Sequence, residues 1–268
     1  MLFETWEEAL LLWRLLTKNV QVVALVLMPD HIHVLCREED LPAIRCALAA
    51  YARARNARRG KSQQVWRHRE AWTEVKSAKQ LNRVVAYVHR NPVVDGLVDD
   101  PLAWPFSTHR DALGLAIPAV RRLTMDPRRL HEQVSLIPGR ENRGFRPLPE
   151  LVRAQDEQGV IVTGPWEAAL GQIQAAVSSL TRTPGAMLGQ RCAARALLLR
   201  SARCLTRAPV RQIADFAGVG RTTVAHVPRK KTPEVLTVAR VLADDRFRLL
   251  EDANLSTLRG WPRCRTRA

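Results

Sequence analysis

The amino-acid sequence predicts an α+β fold: a small antiparallel sheet with helices on one face, followed by an all-α region. Three observations predict it. Residues 20–28 (VQVVALVLM) are rich in β-branched side chains and return through Pro29-Asp30 into residues 31–36 (HIHVLC), a strand hairpin. Helical and extended patterns alternate over the first hundred residues in the order αββαβα, with too few helices to cover both faces of a sheet. Residues 166–260 return to helical patterning.

Each element has a local cause. Thr5-Trp6-Glu7-Glu8 is a capping box opening a helix whose apolar residues Trp6, Ala9, Leu10, Trp13 and Leu16 share one face. A second helix runs from about Asp40, its N-cap, to Arg59, with Gly60 as the stop. Residues 65–76 (VWRHREAWTEVK) read as extended. Residues 78–90 form a third helix, which Asn91-Pro92 is expected to end because the residue before proline avoids the α region. Residues 120–165 are rich in proline, glycine and arginine and read as a linker. The predicted organisation is therefore a domain over 1–118, a basic linker over 119–165 and a helical domain over 166–268.

Composition excludes several classes. An apolar content of 46% is too high for a disordered polar chain. The longest clean apolar stretch, Val22 to Met28, is too short to span a bilayer, so no membrane partner is expected. Glu4, Glu7 and Glu8 precede the apolar run Ala9–Trp13, where a signal peptide would be basic. Five cysteines (Cys36, Cys46, Cys192, Cys204, Cys264) without CxxC spacing fit a reducing cytoplasm better than a disulfide framework or a zinc finger. The net charge is +16 and is concentrated late: residues 161–268 hold 18 basic side chains against 7 acidic ones. Such a field points to a polyanion, most simply nucleic acid.

The chemistry-bearing residues lie in the first domain. His31 and His33, two apart on a predicted strand, point to the same face and make a half-site for a divalent metal. Two strand histidines satisfied by hydrogen bonds are the other reading. Of two tyrosines, Tyr51 and Tyr87, the second shares a helix face with Asn91, four residues on. A tyrosine can act as a covalent nucleophile, and an adjacent metal polarising the target phosphate eases the demand on a phenol that titrates near about 10. A helix-face tyrosine with Asn91 as a terminal cap is the plainer alternative.

Met28-Pro29-Asp30-His31-Ile32-His33-Val34-Leu35 resembles the His-hydrophobic-His segment of the HUH superfamily of DNA-nicking enzymes. VWRHREAWTEV and YVHRNPVVDGLVDDPLAWPFSTHR, within residues 65–110, resemble the REP-associated tyrosine transposases, with Tyr-x-x-x-Asn-Pro, Gly-Leu-Val and Trp-Pro-x-Ser in order. The resemblance covers about residues 3 to 115. It implies a ferredoxin-like antiparallel sheet, with His31, His33 and Asn91 holding Mg²⁺ or Mn²⁺. It implies that Tyr87 attacks single-stranded hairpin DNA to form a 5′-phosphotyrosine and a free 3′-OH, with no nucleotide cofactor. Arg53, Arg55, Arg58, Arg59, Lys61, Arg67 and Arg69 would line the DNA backbone, and Trp66 would stack on an unpaired base. A solvated charged face and a core tryptophan are the plainer readings of these residues. Members usually begin with one more strand than this sequence carries, so that first strand is expected to be missing from the sheet. Val94-Asp95 stands where the family has a basic or small residue before the glycine.

Residues 191–227 resemble the helix-turn-helix modules of bacterial regulators and replication initiators. Pro209 opens a helix, Ala217-Gly218-Val219-Gly220 turns the chain, and Arg221-Thr222-Thr223-Val224-Ala225-His226 begins a second helix that Pro228 shortens. Arg221, Thr222, Thr223 and His226 would face the major groove of duplex DNA, and Arg229, Lys230 and Lys231 the phosphates. A small bundle used for protein contacts is the alternative. The expected whole is a DNA nicking and strand-transfer enzyme, monomer or homodimer. The competing expectation is a truncated or domesticated DNA-binding protein without catalysis. A metal phosphodiesterase using activated water is a distant third.

Overall fold

The computed structural model describes residues 2–18, 20–66, 72–119, 126–135, 146–149, 165–242 and 244–247. The chain divides into two compact units, the first ending at His109 and the second beginning at Arg110. The first is mixed α and β. It contains α1 (Trp6–Lys18), the antiparallel hairpin β1 (Val22–Leu27) and β2 (Ile32–Cys36), α2 (Leu41–Arg59) and α3 (Ala78–Val94). A short helix, α4 (Thr108–Ala112), begins at the end of this unit.

Of the predicted caps Thr5 and Gly60 act as such, whereas Asp40 precedes α2 in a helical conformation without a side-chain cap bond. Thr5 Oγ1 accepts from the Glu8 amide at 3.3 Å, and Gly60 ends α2 in the left-handed region at φ 58°. β1 is the buried spine. Val22, Ala24, Leu25, Val26 and Leu27 have almost no exposure, whereas every residue of β2 is half-buried. On its other edge β1 meets the 106–107 segment: Leu27 N donates to Phe106 O at 3.0 Å, and Val26 bridges Ser107. Phe106 anchors the core, its ring 4.8 Å from Trp6 and 6.2 Å from Trp13. Among the described residues the sheet has two strands, and residues 72–76 form neither strand nor helix.

One expectation is corrected. α3 does not end at Asn91-Pro92 but continues to Val94. Pro92 has no N–H for the Val88 carbonyl one turn back. The Asn91 side-chain amide reaches into that gap, donating to Tyr87 O at 2.8 Å and Val88 O at 3.4 Å. A side chain thus supplies the donor that proline removed, and the helix completes its last turn.

Beneath α3 lies a buried histidine pair. His89 is fully enclosed, its ring stacked on His109 at 5.5 Å, and its Nε2 pairs with Thr108 Oγ1 at 3.0 Å. Thr108 Oγ1 in turn accepts from the Leu25 amide at 2.8 Å. Burial pushes the His89 pKa down to about 3. The folded value lies below the unfolded one, so the neutral ring's stabilisation is complete above about pH 6.5 and is lost as pH falls toward the folded value. The expected loss between pH 7 and pH 4.5 is about 2–3 kcal/mol. Urea unfolding at the two pH values measures it. His89→Gln, which cannot take up the proton, should flatten the dependence, and an equally steep variant would refute the assignment.

The second unit is helical over its described residues: α5 (Pro127–Ser135), α6 (Trp166–Thr181), α7 (Ala193–Leu205), α8 (Val210–Ala217), α9 (Arg221–Ala225) and α10 (Pro233–Val241). Helix α5 falls inside the stretch that composition marks as linker, with Leu130 and Val134 fully buried. The core of the later helices gathers Leu170, Leu199, Ile213, Ala214 and Val224. Gly218 ends α8 at φ 62°, a conformation that costs other L-residues roughly 1–2 kcal/mol, and the chain re-enters a helix at Arg221. No described helix is long and apolar enough to cross a membrane.

Candidate active site

The hairpin turn and one helix assemble the site. β2 begins at Ile32, so His31 closes the turn rather than opening the strand, its carbonyl accepting from the Met28 amide at 2.9 Å. His33 sits in the strand opposite Val26. The two rings nevertheless converge as the i, i+2 spacing predicts, with His31 Nε2 and His33 Nε2 2.9 Å apart. On the far side of His31, Nδ1 meets Asp30 Oδ1 at 2.7 Å. Helix α3 packs on both strands. It brings the Tyr87 ring edge-on to His33, centroids 5.5 Å apart and planes at 85°.

Burial sorts the two tyrosines. Tyr87 is 55% exposed and Tyr51 is fully buried. The Tyr51 hydroxyl donates to Leu2 O at 2.8 Å, and burial pushes its ionisation up. Only Tyr87 presents a hydroxyl to a polymer. On the same exposed face of α3 lie Arg83, one turn earlier, and Val94, two turns later.

The electrostatics favour a neutral second imidazole. Burial, and then the His31 charge, push the His33 pKa down to about 4, leaving it a lone-pair donor at neutral pH. The hydrogen bond from His31 holds the Asp30 carboxyl below its ordinary range. Two nitrogen ligands at right angles, each about 2.1 Å from one ion, lie about 3 Å apart, so the spacing of the pair fits a shared metal. Among the described residues no third His, Cys, Asp or Glu joins them in ligating position. Asn91 is buried in α3 with its amide nitrogen committed to the helix, which leaves Oδ1 as its ligating atom. Among the described residues no hydrogen bond joins it to either histidine.

The basic face of α2 divides in two. Arg53, Arg58 and Lys61 are exposed. Arg55 and Arg59 turn instead onto α1. Arg55 is buried, 3.7 Å from Glu8 and 3.6 Å from Glu4, and Arg59 reaches Glu8 at 2.7 Å and Glu4 at 2.9 Å. These two arginines tie helices together where the sequence offers them to a DNA backbone. Trp66 is half-buried, donating Nε1 to Leu48 O at 3.2 Å with its ring 6.0 Å from Tyr51, so packing accounts for much of it. Arg67 and Arg69 lie outside the described residues.

Two carboxylates lie near the pair, and sequence reasoning gives neither a part in it. The sequence marks Asp30 only as a turn former, although its adjacency to His31 is a signal in itself. Asp95 caps α3, its amide donating to Asn91 O at 2.9 Å. Burial raises the Asp95 carboxyl, and the charge of His31 opposes that rise.

In the second unit, Arg221, Thr222 and Thr223 are exposed on the first turn of α9 while Val224 is buried in the core. His226 Nδ1 pairs with Thr222 O at 2.7 Å. Arg229, Lys230 and Lys231 follow on exposed chain.

Over 106 residues the chain is 32% identical to a protein of Haemophilus influenzae (strain ATCC 51907 / DSM 11121 / KW20 / Rd) described as "Putative REP-associated tyrosine transposase". The similarity covers 34% of this chain and 60% of that relative. No family model matches the chain, and no solved structure matches it.

Proposed function

We propose that this chain is a transposase-like enzyme of the REP-associated tyrosine kind. It nicks single-stranded hairpin DNA and transfers the strand through a 5′-phosphotyrosine. The observation that carries the reading is the convergence of His31 Nε2, His33 Nε2 and the exposed Tyr87 ring on one surface. The similarity to the Haemophilus influenzae protein supports it. In this reading the hairpin and the 106–107 segment belong to a ferredoxin-like sheet, and the catalytic domain is the first of the two.

The Tyr87 hydroxyl attacks phosphorus. The Tyr–O–P bond forms, the P–O3′ bond breaks, the phenolic proton is released and the departing 3′ oxygen takes up a proton. Transfer is the reverse: a 3′-OH attacks the phosphotyrosyl ester and restores the phenol. One phosphate ester replaces another of similar energy, so no nucleotide is consumed. His31, His33 and Asn91 Oδ1 would hold Mg²⁺ or Mn²⁺, which when bound polarises the scissile phosphate as a Lewis acid. Arg53, Arg58 and Lys61 attract the DNA backbone, and exposed Arg83 lies one helical turn from the nucleophile. The first turn of α9, with Arg221, Thr222, Thr223 and His226, reads duplex DNA, while Arg229, Lys230 and Lys231 meet phosphates.

A labelled hairpin from sequence flanking the gene, incubated with protein and Mn²⁺ and run on a denaturing gel, tests the reading. The expected result is label migrating with protein, abolished by EDTA. Free 5′-phosphate ends without adduct would point to activated water instead. Salt-sensitive binding with neither cleavage nor Mn²⁺ uptake would favour the second reading, a non-catalytic DNA-binding protein. That reading draws its support from the exposed first turn of α9, where Arg221, Thr222 and Thr223 can meet DNA without any cleavage.

A further inference from the structure

Among the described residues Asp30 hydrogen-bonds the histidine pair, and the proposed chemistry leaves it unused. Its Oδ1 lies 2.7 Å from His31 Nδ1, on the opposite side of the ring from the 2.9 Å contact with His33 Nε2. A carboxylate is acceptor-only, so the hydrogen between them sits on Nδ1. That leaves His31 Nε2 as the lone-pair nitrogen, aimed at His33. In the metal-free protein the hydrogen bridging the two Nε2 atoms then belongs to His33, and a cation taking its position requires that proton to move to His33 Nδ1.

The ring needs this hold. His31 lies in the turn rather than in the strand ladder, and its side chain is 37% exposed. The backbone of the turn is already fixed by the Met28 N–His31 O bond, so the imidazole torsion is the remaining freedom. A half-turn of the ring would put Cδ2 where Nδ1 stands and Cε1 where Nε2 stands, losing the Asp30 bond and the alignment with His33 together.

We propose that Asp30 is a positioning residue: it fixes the tautomer and orientation of His31 so that two imidazole lone pairs converge on one divalent cation. The proposal rests on the metal reading above and extends it to the carboxylate behind the ligand. Outer carboxylates of this kind, when removed, typically lower metal affinity about 10–100-fold.

The test uses the full chain and Mn²⁺ alone, without DNA. Wild type, Asp30→Ala, Asp30→Asn and His33→Ala are titrated by calorimetry and by the Mn²⁺ electron paramagnetic resonance signal. Long-range nitrogen-proton spectra of the metal-free proteins report the His31 tautomer. Wild type should show the Nδ1–H form. Asp30→Ala should lose it and bind Mn²⁺ about 10–100-fold more weakly. Asp30→Asn keeps an acceptor oxygen at the same place, so it should preserve the tautomer and lose less affinity. The Asp30 side chain is 41% exposed, so these variants should fold, which circular dichroism checks. Asp30→Ala with wild-type tautomer and affinity would overturn the proposal while leaving the metal reading intact. A wild type that takes up no Mn²⁺ would overturn the metal reading, and the role of Asp30 with it.

Discussion

Tyr87→Phe should abolish the covalent protein–DNA adduct, at least about 10³-fold below wild type on a denaturing gel, and leave hairpin binding within about twofold by mobility shift. The substitution removes one oxygen. The ring remains to keep its edge-on contact with His33, and Tyr87 is exposed, so neither the fold nor the electrostatic surface changes. No second phenol can take over, because Tyr51 is buried with its hydroxyl spent on Leu2 O. An adduct that persists in the variant would remove Tyr87 from the mechanism. Unchanged binding matters as much as lost adduct, since it separates chemistry from recognition.

Arg182→Leu should destabilise the second unit by about 3–5 kcal/mol. Asp111 is fully buried and Arg182 nearly so, and the two form an ion pair. The Arg182 backbone sits at φ 55°, in the left-handed region, at the end of α6. Removing the guanidinium takes a charged partner from a carboxylate held away from water, which costs more than the pair contributes. The double variant Asp111→Leu/Arg182→Leu should recover part of the loss, because the carboxylate that lost the guanidinium is removed with it. Hydrogen exchange of the α6 amides under urea reads both effects in the unit concerned. A single variant that loses less than about 1 kcal/mol would show that water reaches the site.

Much of the first unit is written in local pattern. The capping box at Thr5, the β-branched run into β1 and the glycine after Arg59 each act within a few residues, and each element stands where those signals put it. The histidine pair is equally local, because a spacing of two residues from the turn into β2 is enough to bring the imidazoles together. What the sequence hides is long-range or compensatory. Arg55 and Arg59 look like a free basic face until α1 folds across and delivers Glu4 and Glu8 from about fifty positions away. Pro92 looks like a stop until a neighbouring side chain supplies the missing donor. Helix α5 hides because proline and glycine counts over forty residues outweigh the spacing of Leu130 and Val134. The approach of Tyr87 to His33 depends on how α3 packs on the hairpin, which periodicity within either element does not encode.

The amide of Asn91 that bridges the last turn of α3 couples two neighbouring codons. With Pro92 in place, position 91 must supply a donor to the turn and, in the proposed enzyme, an oxygen to the cation as well. If position 92 carried a backbone N–H, the turn would close by itself and position 91 would answer only to the cation. The two sites are therefore epistatic: an aspartate or glutamate at 91 is a poor exchange while proline persists and a reasonable one after it is gone. Drift should cross these two positions in one order, proline first, and a library randomised at 91 alone would understate what the position can accept.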